Sequence, residues 1–204
     1  MQAMQAAAAA KTSGALQLIS DVHVLDGSGQ YLRPLAEREL ITDACFLRIF
    51  VALEEFLEAT FAYYLTGGTS TAAWSPVTYA IPPTLEHAHR MFIGMRPFMD
   101  WSTPDNVRQL AHLYFENGEP FATPLASAAQ YLKNMKTVRN ATAHVSRTTQ
   151  AALDAVHSQW TGTPTVGTTV YKTLLSMGAS THETFLATSE KTVAAVIDQI
   201  ARRV

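Results

Sequence analysis

The chain has 204 residues, of which 48% are hydrophobic and only 16% charged, and its formal net charge is −2. This apolar content suffices for the core of one domain, while the charge excludes a polycation that binds nucleic acid through bulk charge, so any such contact needs a local patch. A single cysteine, Cys45, excludes an internal disulfide and a cysteine-based zinc site. No apolar run predicts a membrane span and the start does not read as a secretory signal, so we expect a cytoplasmic protein without membrane contact.

The first half of the chain predicts one dominant helix. Residues 1–14 are Ala-rich and predict a frayed or flexible start, and a short helix is expected over 15–24. Residues 35–65 give the longest helical pattern, apolar on most sides, which predicts a helix at the centre of a bundle. Its main stripe consists of Phe46, Ile49, Phe50, Leu53, Leu57 and Phe61.

Several shorter helices are expected around this one. Prolines keep 69–83 irregular, Thr84 caps a helix that runs to about Arg96 before Pro97, and another helix covers 104–117. Helices are also predicted over 150–160 and 183–203, whereas 162–169 reads as a loop and 171–177 gives no clear pattern. The loops 69–83 and 162–172 leave room for a few short strands. The last helix has an apolar face formed by Phe185, Leu186, Val193, Val196, Ile197 and Ile200.

The stretch from Pro124 to Arg147 predicts one helix with two different faces. Thr123 is its expected N-cap, and Pro124 suits the first helical position. Steps of three and four place one apolar stripe on it, formed by Leu125, Ala128, Leu132, Met135, Val138, Thr142 and Val145. The same steps place a second, cationic or hydrogen-bonding stripe on another face, formed by Lys133, Lys136, Asn140, His144 and Arg147.

The polar stripe has two interpretations, a solvated surface and a functional site. Asn140 and His144 are four apart and lie one above the other, with Arg139 beside them. Histidine titrates near neutral pH, and arginine offers a fork of donors that suits a phosphate. Such a set needs no metal when the substrate carries its own nucleophile, as RNA does in its 2′-hydroxyl.

The segment Arg139-Asn140-Ala141-Thr142-Ala143-His144 resembles the signature of the HEPN superfamily. That signature is an arginine, a polar residue that is often asparagine, and a histidine after four to six intervening residues. The run Ala52-Leu53-Glu54-Glu55-Phe56-Leu57-Glu58 is similar to the earlier apolar helix of the RiboL-PSP group in this superfamily. The resemblance covers about residues 36–147.

The resemblance implies an all-α, HEPN-like helical bundle over residues 1–204, with an up-and-down core of four to five helices and extra short helices and loops. It implies an endoribonuclease that needs no metal or cofactor and leaves a 2′,3′-cyclic phosphate and a 5′-hydroxyl. Arg139, Asn140 and His144 would be the catalytic residues. It also implies a homodimer that shares a cleft between two motif helices, in a toxin or phage-defence effector with an antitoxin or defence-system protein as a further partner.

The spacing of the motif agrees with a shared cleft. Arg139 and His144 are five residues apart, hence about 140° around an isolated helix. One chain alone is therefore poorly arranged to hold a phosphate between these two side chains. Two copies across a two-fold axis could bring Arg139 of one chain toward His144 of the other. The low charge content also favours an oligomer.

Four further residues are assigned supporting roles. Lys133, Lys136 and Arg147 are expected to contact the RNA backbone. Glu54 lies in an otherwise apolar helix, and because unpaired burial of a carboxylate is costly, we expect it to have a partner, with Arg139 as the candidate. The alternative is that Glu54 belongs to a narrow solvent-exposed side of the helix.

A second function stays open at this point. Many HEPN proteins bind partners or nucleotides without catalysis, so the alternative is a non-catalytic RNA- or protein-binding module. Related toxins carry a tyrosine soon after the motif histidine, whereas Val145-Ser146-Arg147 follow here, so regulation by modification of such a tyrosine is not supported. His87, His89 and His112 are expected to be structural or surface residues, and no metal site is predicted.

Overall fold

The computed structural model describes residues 1–93, 99–144 and 146–203. Within them the chain is all-α, as predicted, and its β contacts are isolated bridges rather than strands. None of the helices in these ranges combines the length and the apolar character needed to cross a membrane. The helices are α1 (Gln2–Val22), α2 (Leu35–Leu65), α3 (Leu85–Ile93), α4 (Pro104–Tyr114), α5 (Ala122–Ser127), α6 (Ala129–Ala143), α7 (Arg147–Thr161), α8 (Val170–Leu175) and α9 (Phe185–Arg202), with a 3₁₀ turn at Glu116–Gly118.

The chain forms two compact units. Unit 1 consists of Met1–Ala9, Leu53–Lys133 and Thr192–Val204. Unit 2 consists of Ala10–Ala52 and Asn134–Lys191. A single HEPN-like domain over the whole chain therefore stays a prediction.

Unit 1 is built around an aromatic cluster centred on Phe61. The Phe61 ring is fully buried, and its centroid lies 5.0 Å from the centroids of Phe115 and Phe121. The rings of Phe92 and Trp101 meet it edge-on at 5.5 and 5.6 Å, the geometry that the quadrupoles of aromatic rings favour. This cluster fixes the end of α2 against α3 and the helices that follow it.

Unit 2 has an aliphatic and aromatic core and a polar cluster around Arg38. The side chains of Phe46, Ile49 and Phe50 are at most 1% exposed. Arg38, itself buried, donates from Nη1 to the Tyr171 hydroxyl at 2.9 Å, and its guanidinium lies 3.6 Å from the centre of the Tyr31 ring. These contacts join the start of α2 to α8.

The two long amphipathic patterns are confirmed. The predicted bounds of α2 coincide with those observed, and every residue of its predicted stripe is buried. The six apolar positions predicted for the last helix are buried along α9. Thr84 caps α3 by accepting the backbone N–H of His87, although the predicted end near Arg96 and Pro97 lies outside the described residues.

The predicted frayed start is wrong, because α1 begins at Gln2 and continues to Val22. Alanine is the best helix former, and Ala8 and Ala15 are buried along this helix. Residues 171–177, which gave no clear pattern, begin with α8, whose N-cap Thr169 accepts the N–H of Lys172 at 3.1 Å.

The predicted motif helix is interrupted at two places. Near Ala128 the chain passes from α5 to α6, where the Ser127 hydroxyl donates to the Thr123 carbonyl oxygen, a pattern that bends helices. Thr123 is not the N-cap, and its own hydroxyl donates to the Glu119 carboxylate. After Ala143 the helix ends, so Arg147 starts α7 instead of continuing the polar stripe.

Candidate functional site

The part of α6 in unit 2 holds Arg139 and Asn140 beside the core. Met135 and Val138 are fully buried, and the two motif residues that follow them are half-buried. Arg139 Nη1 donates to the Asn140 Oδ1 atom at 3.3 Å, whereas the buried Arg139 Nε has no hydrogen-bond partner among the described residues. Asn140 therefore engages one nitrogen of the guanidinium, and the buried Nε is a donor that no described residue uses.

His144 is fixed through its backbone where α6 ends. Its N–H donates to the Asn140 carbonyl oxygen at 2.9 Å, and its own carbonyl oxygen accepts the Thr149 hydroxyl at 2.7 Å. Ser146 and Thr149 form a capping box that starts α7. The His144 side chain is exposed, so a fixed backbone presents its imidazole at the surface.

His144 lines a pocket of about 260 Å³ in unit 2. Its lining includes polar, uncharged residues whose hydroxyl groups come from three segments of the chain. Arg139 and Asn140 are not among the described residues that line it, so one chain does not direct the motif arginine and histidine into a common cavity. The other lining residues are Asp43, Ala141, Thr142, Ser146, Thr149, Gln150, Leu153, Thr168, Thr169 and Val170.

Asp43 is the pocket residue that sequence reasoning missed. Burial, with a smaller contribution from Glu39, raises the pKa of its carboxyl from 3.8 to about 7. Its Oδ1 atom is buried and has no hydrogen-bond partner among the described residues. A signal was present, because Asp43 precedes Phe46 by three residues and Phe50 by seven, which places a carboxyl on the core face of α2.

Hydrogen bonds to the Asp154 carboxylate order the chain beside the pocket wall that residues 168–170 form. The Asp154 carboxylate accepts the N–H groups of Gly167 at 3.0 Å and Thr168 at 2.9 Å. These hydrogen bonds lower the pKa of Asp154, and the bond from Gly167 makes the largest contribution. Gln150 Nε2 donates to Asp154 Oδ1 and to the Thr168 carbonyl oxygen, both at 2.9 Å. The protein's own hydrogen bonds thus hold this pocket wall in place.

The predicted RNA-contacting cations lie in different surroundings. Lys133 belongs to unit 1 and pairs with the Asp105 carboxylate at 2.7 Å, and this bond is the main cause that lowers the pKa of Asp105. Lys136 is half-buried on α6 and also has a polar contact, whereas Arg147 is exposed at the first position of α7. The charge of Lys133 is thus compensated by a nearby carboxylate.

Glu54 is half-buried on the unit 1 part of α2 and takes part in a polar interaction. Arg139 belongs to unit 2, so the pair that the sequence suggested between these two residues stays a prediction. In the described ranges, no group of three or more His, Cys, Asp or Glu side chains is placed to hold a metal ion.

Known proteins give no guide to this site. Comparisons of the chain with protein-family models, with curated proteins and with solved structures found no match. The HEPN assignment accordingly stays a prediction that rests on the residues from Arg139 to His144 and on the apolar helix α2.

Proposed function

We propose that the protein is a metal-independent endoribonuclease of the HEPN type. One observation carries the proposal: the exposed His144 lines a pocket rich in hydroxyl groups, and Asn140 positions a half-buried Arg139 guanidinium five residues earlier in the chain. An imidazole can move protons at neutral pH, and a guanidinium fork stabilises charge on a phosphate. RNA brings its own nucleophile, so the reaction does not need a metal ion to generate one.

In the proposed reaction the 2′-hydroxyl of one nucleotide attacks the adjacent phosphorus. The products are a 2′,3′-cyclic phosphate and a 5′-hydroxyl end. His144 exchanges a proton with the reacting oxygens, and Arg139 stabilises the negative charge that develops on the phosphoryl oxygens. Because the Asn140 Oδ1 atom accepts from Arg139, Asn140 acts by positioning the guanidinium.

We further propose a homodimer through the motif helix. Arg139 does not line the His144 pocket within one chain, so a phosphate at His144 needs a guanidinium from elsewhere. A two-fold axis beside α6 would supply Arg139 of the partner subunit. A role as a toxin or phage-defence effector, with an antitoxin or defence protein as partner, follows from the resemblance alone.

The test is RNA cleavage by the purified protein in EDTA. The wild type should cut tRNA or mRNA, and His144→Ala should reduce the rate by roughly 10²–10⁴. His112→Ala, which removes an exposed histidine from α4 in unit 1, should cleave like the wild type. A wild type that binds RNA or a protein but never cleaves, with motif variants that change only affinity, would replace the enzyme by the non-catalytic module.

A further inference from the structure

We propose that Asp43 is the second proton-transfer group of the reaction, acting opposite His144 across the pocket that both residues line within one chain. The inference rests on the proposed function. Cleavage by a 2′-hydroxyl needs one group that removes the proton of the attacking oxygen and one that protonates the leaving oxygen. The motif supplies one proton-transfer side chain, the His144 imidazole, and the structure adds the Asp43 carboxyl.

The geometry of the pocket singles out Asp43. Asp43 lines, from α2, a space of about 260 Å³ whose other walls come from the end of α6, from α7 and from residues 168–170. Its buried Oδ1 atom has no hydrogen-bond partner among the described residues. A buried polar atom without a partner is costly to maintain, and a catalytic role is one reason to retain it.

Few charged groups face Asp43. Glu39 lies on its own helix and His144 comes from the end of α6. From α7 the facing groups are the Thr149 hydroxyl and the Gln150 amide, with the Asp154 carboxylate behind them, and the segment before α8 adds threonine hydroxyls. His144 is thus the group in this described lining that can exchange a proton with a substrate in concert with Asp43.

The charge of the substrate decides which group is the acid. A phosphodiester is negative, so it approaches an uncharged carboxyl more readily than a carboxylate. Burial raises the pKa of Asp43 to about 7, so its carboxyl keeps the proton to a higher pH than an ordinary aspartate does. Asp43 is therefore the general acid, and the His144 imidazole is the general base.

His144 takes the proton of the 2′-hydroxyl while the 2′-oxygen forms a bond to phosphorus. The bond from phosphorus to the 5′-oxygen breaks, and the Asp43 carboxyl gives its proton to that oxygen. The cyclic phosphate and the 5′-hydroxyl leave, and solvent returns a proton to Asp43 and removes one from His144. No oxidant, reductant or further reactant is needed.

The experiment compares normal RNA with RNA whose scissile 5′-oxygen is replaced by sulfur. A thiol is far more acidic than an alcohol, so the sulfur departs without a general acid. Asp43→Asn should lose roughly 10²–10⁴ in rate on normal RNA and cleave the sulfur substrate close to the wild-type rate. His144→Ala should be slow on both substrates. The wild-type rate on normal RNA should fall above about pH 7, and this fall should be absent in Asp43→Asn.

Glu39→Gln is the matched control, because it removes a carboxyl one turn away that does not line the pocket, and it should cleave normal RNA. An active wild type with an Asp43→Asn variant that matches it on normal RNA would overturn the inference and leave the proposed function standing. An Asp43→Asn variant that is equally slow on both substrates would also overturn it, since the defect would then be structural. A wild type that cuts no RNA would remove both proposals.

Discussion

Replacing Asp43 with asparagine should stabilise the protein at alkaline pH. In the unfolded chain this carboxyl ionises near 3.8, whereas in the folded protein its pKa is about 7. Between these values the folded state holds a proton that the unfolded state has released, so wild-type stability falls as the pH rises from about 4 to about 7. Asparagine has nearly the same shape and never ionises, so the variant escapes this loss.

The magnitude follows from the two pKa values. The interval between 3.8 and about 7 corresponds to about 4 kcal/mol at the usual 1.36 kcal/mol per pH unit. Because Asp43 is only half-buried, solvent screens part of this cost, and we halve it to about 2 kcal/mol. The expected gain is thus about 2 kcal/mol at pH 8 and close to zero at pH 4.

Urea unfolding of both proteins at several pH values measures this difference. Asp154→Asn provides a control of opposite sign, because hydrogen bonds lower the pKa of Asp154. The ionised Asp154 carboxylate stabilises the fold at neutral pH, and this contribution is lost as the pH falls. Asp154→Asn should therefore be less stable than the wild type at pH 8, and the difference should shrink at low pH. An Asp43→Asn curve parallel to the wild-type curve from pH 4 to pH 8 would refute the reasoning.

Three further predictions concern the motif and the surface around it. Arg139→Ala should slow RNA cleavage strongly, and Arg139→Lys should rescue it poorly because lysine lacks the planar fork; equal activity of the lysine variant would contradict a phosphate-clamping role. Arg147→Ala, Lys136→Ala and Lys133→Ala should each weaken RNA binding and reduce its salt dependence, and Lys133→Ala should do so less than Arg147→Ala because Asp105 already pairs with Lys133; salt titrations of binding measure this difference. Sedimentation at micromolar concentration should give about twice the 22.3 kDa chain mass, and an active monomer would refute the shared cleft.

The sequence predicted the helices that carry long, unambiguous apolar stripes. The bounds and buried face of α2 and the face of α9 follow from periodicity because burial on one side imposes it. The break between α6 and α7 was missed because helical spacing continues through residues 144–147, and the local signal there was the Ser146 and Thr149 capping box. The extent of α1 was missed because its alanine-rich start shows little contrast between its faces.

The candidate site was predicted only in part. Adjacency in sequence was enough to place Arg139 beside Asn140 and His144 one turn away. Asp43 lies about a hundred residues earlier, and its presence in the same pocket depends on how α2 meets the ends of α6 and α7 within unit 2. The sequence shows a carboxyl on the apolar face of α2, but only the tertiary structure shows that Asp43 and His144 line the same pocket.

The most direct test of the account is the chemistry of the cut ends. RNA incubated with the wild-type protein in EDTA should carry a 2′,3′-cyclic phosphate on one fragment and a 5′-hydroxyl on the other. A matched RNA with a 2′-O-methyl group at the nucleotide that attacks should stay intact, because its nucleophile is blocked. Cleavage of the methylated RNA, or fragments with a 5′-phosphate, would contradict attack by the 2′-hydroxyl and with it the proposed roles of His144 and Asp43.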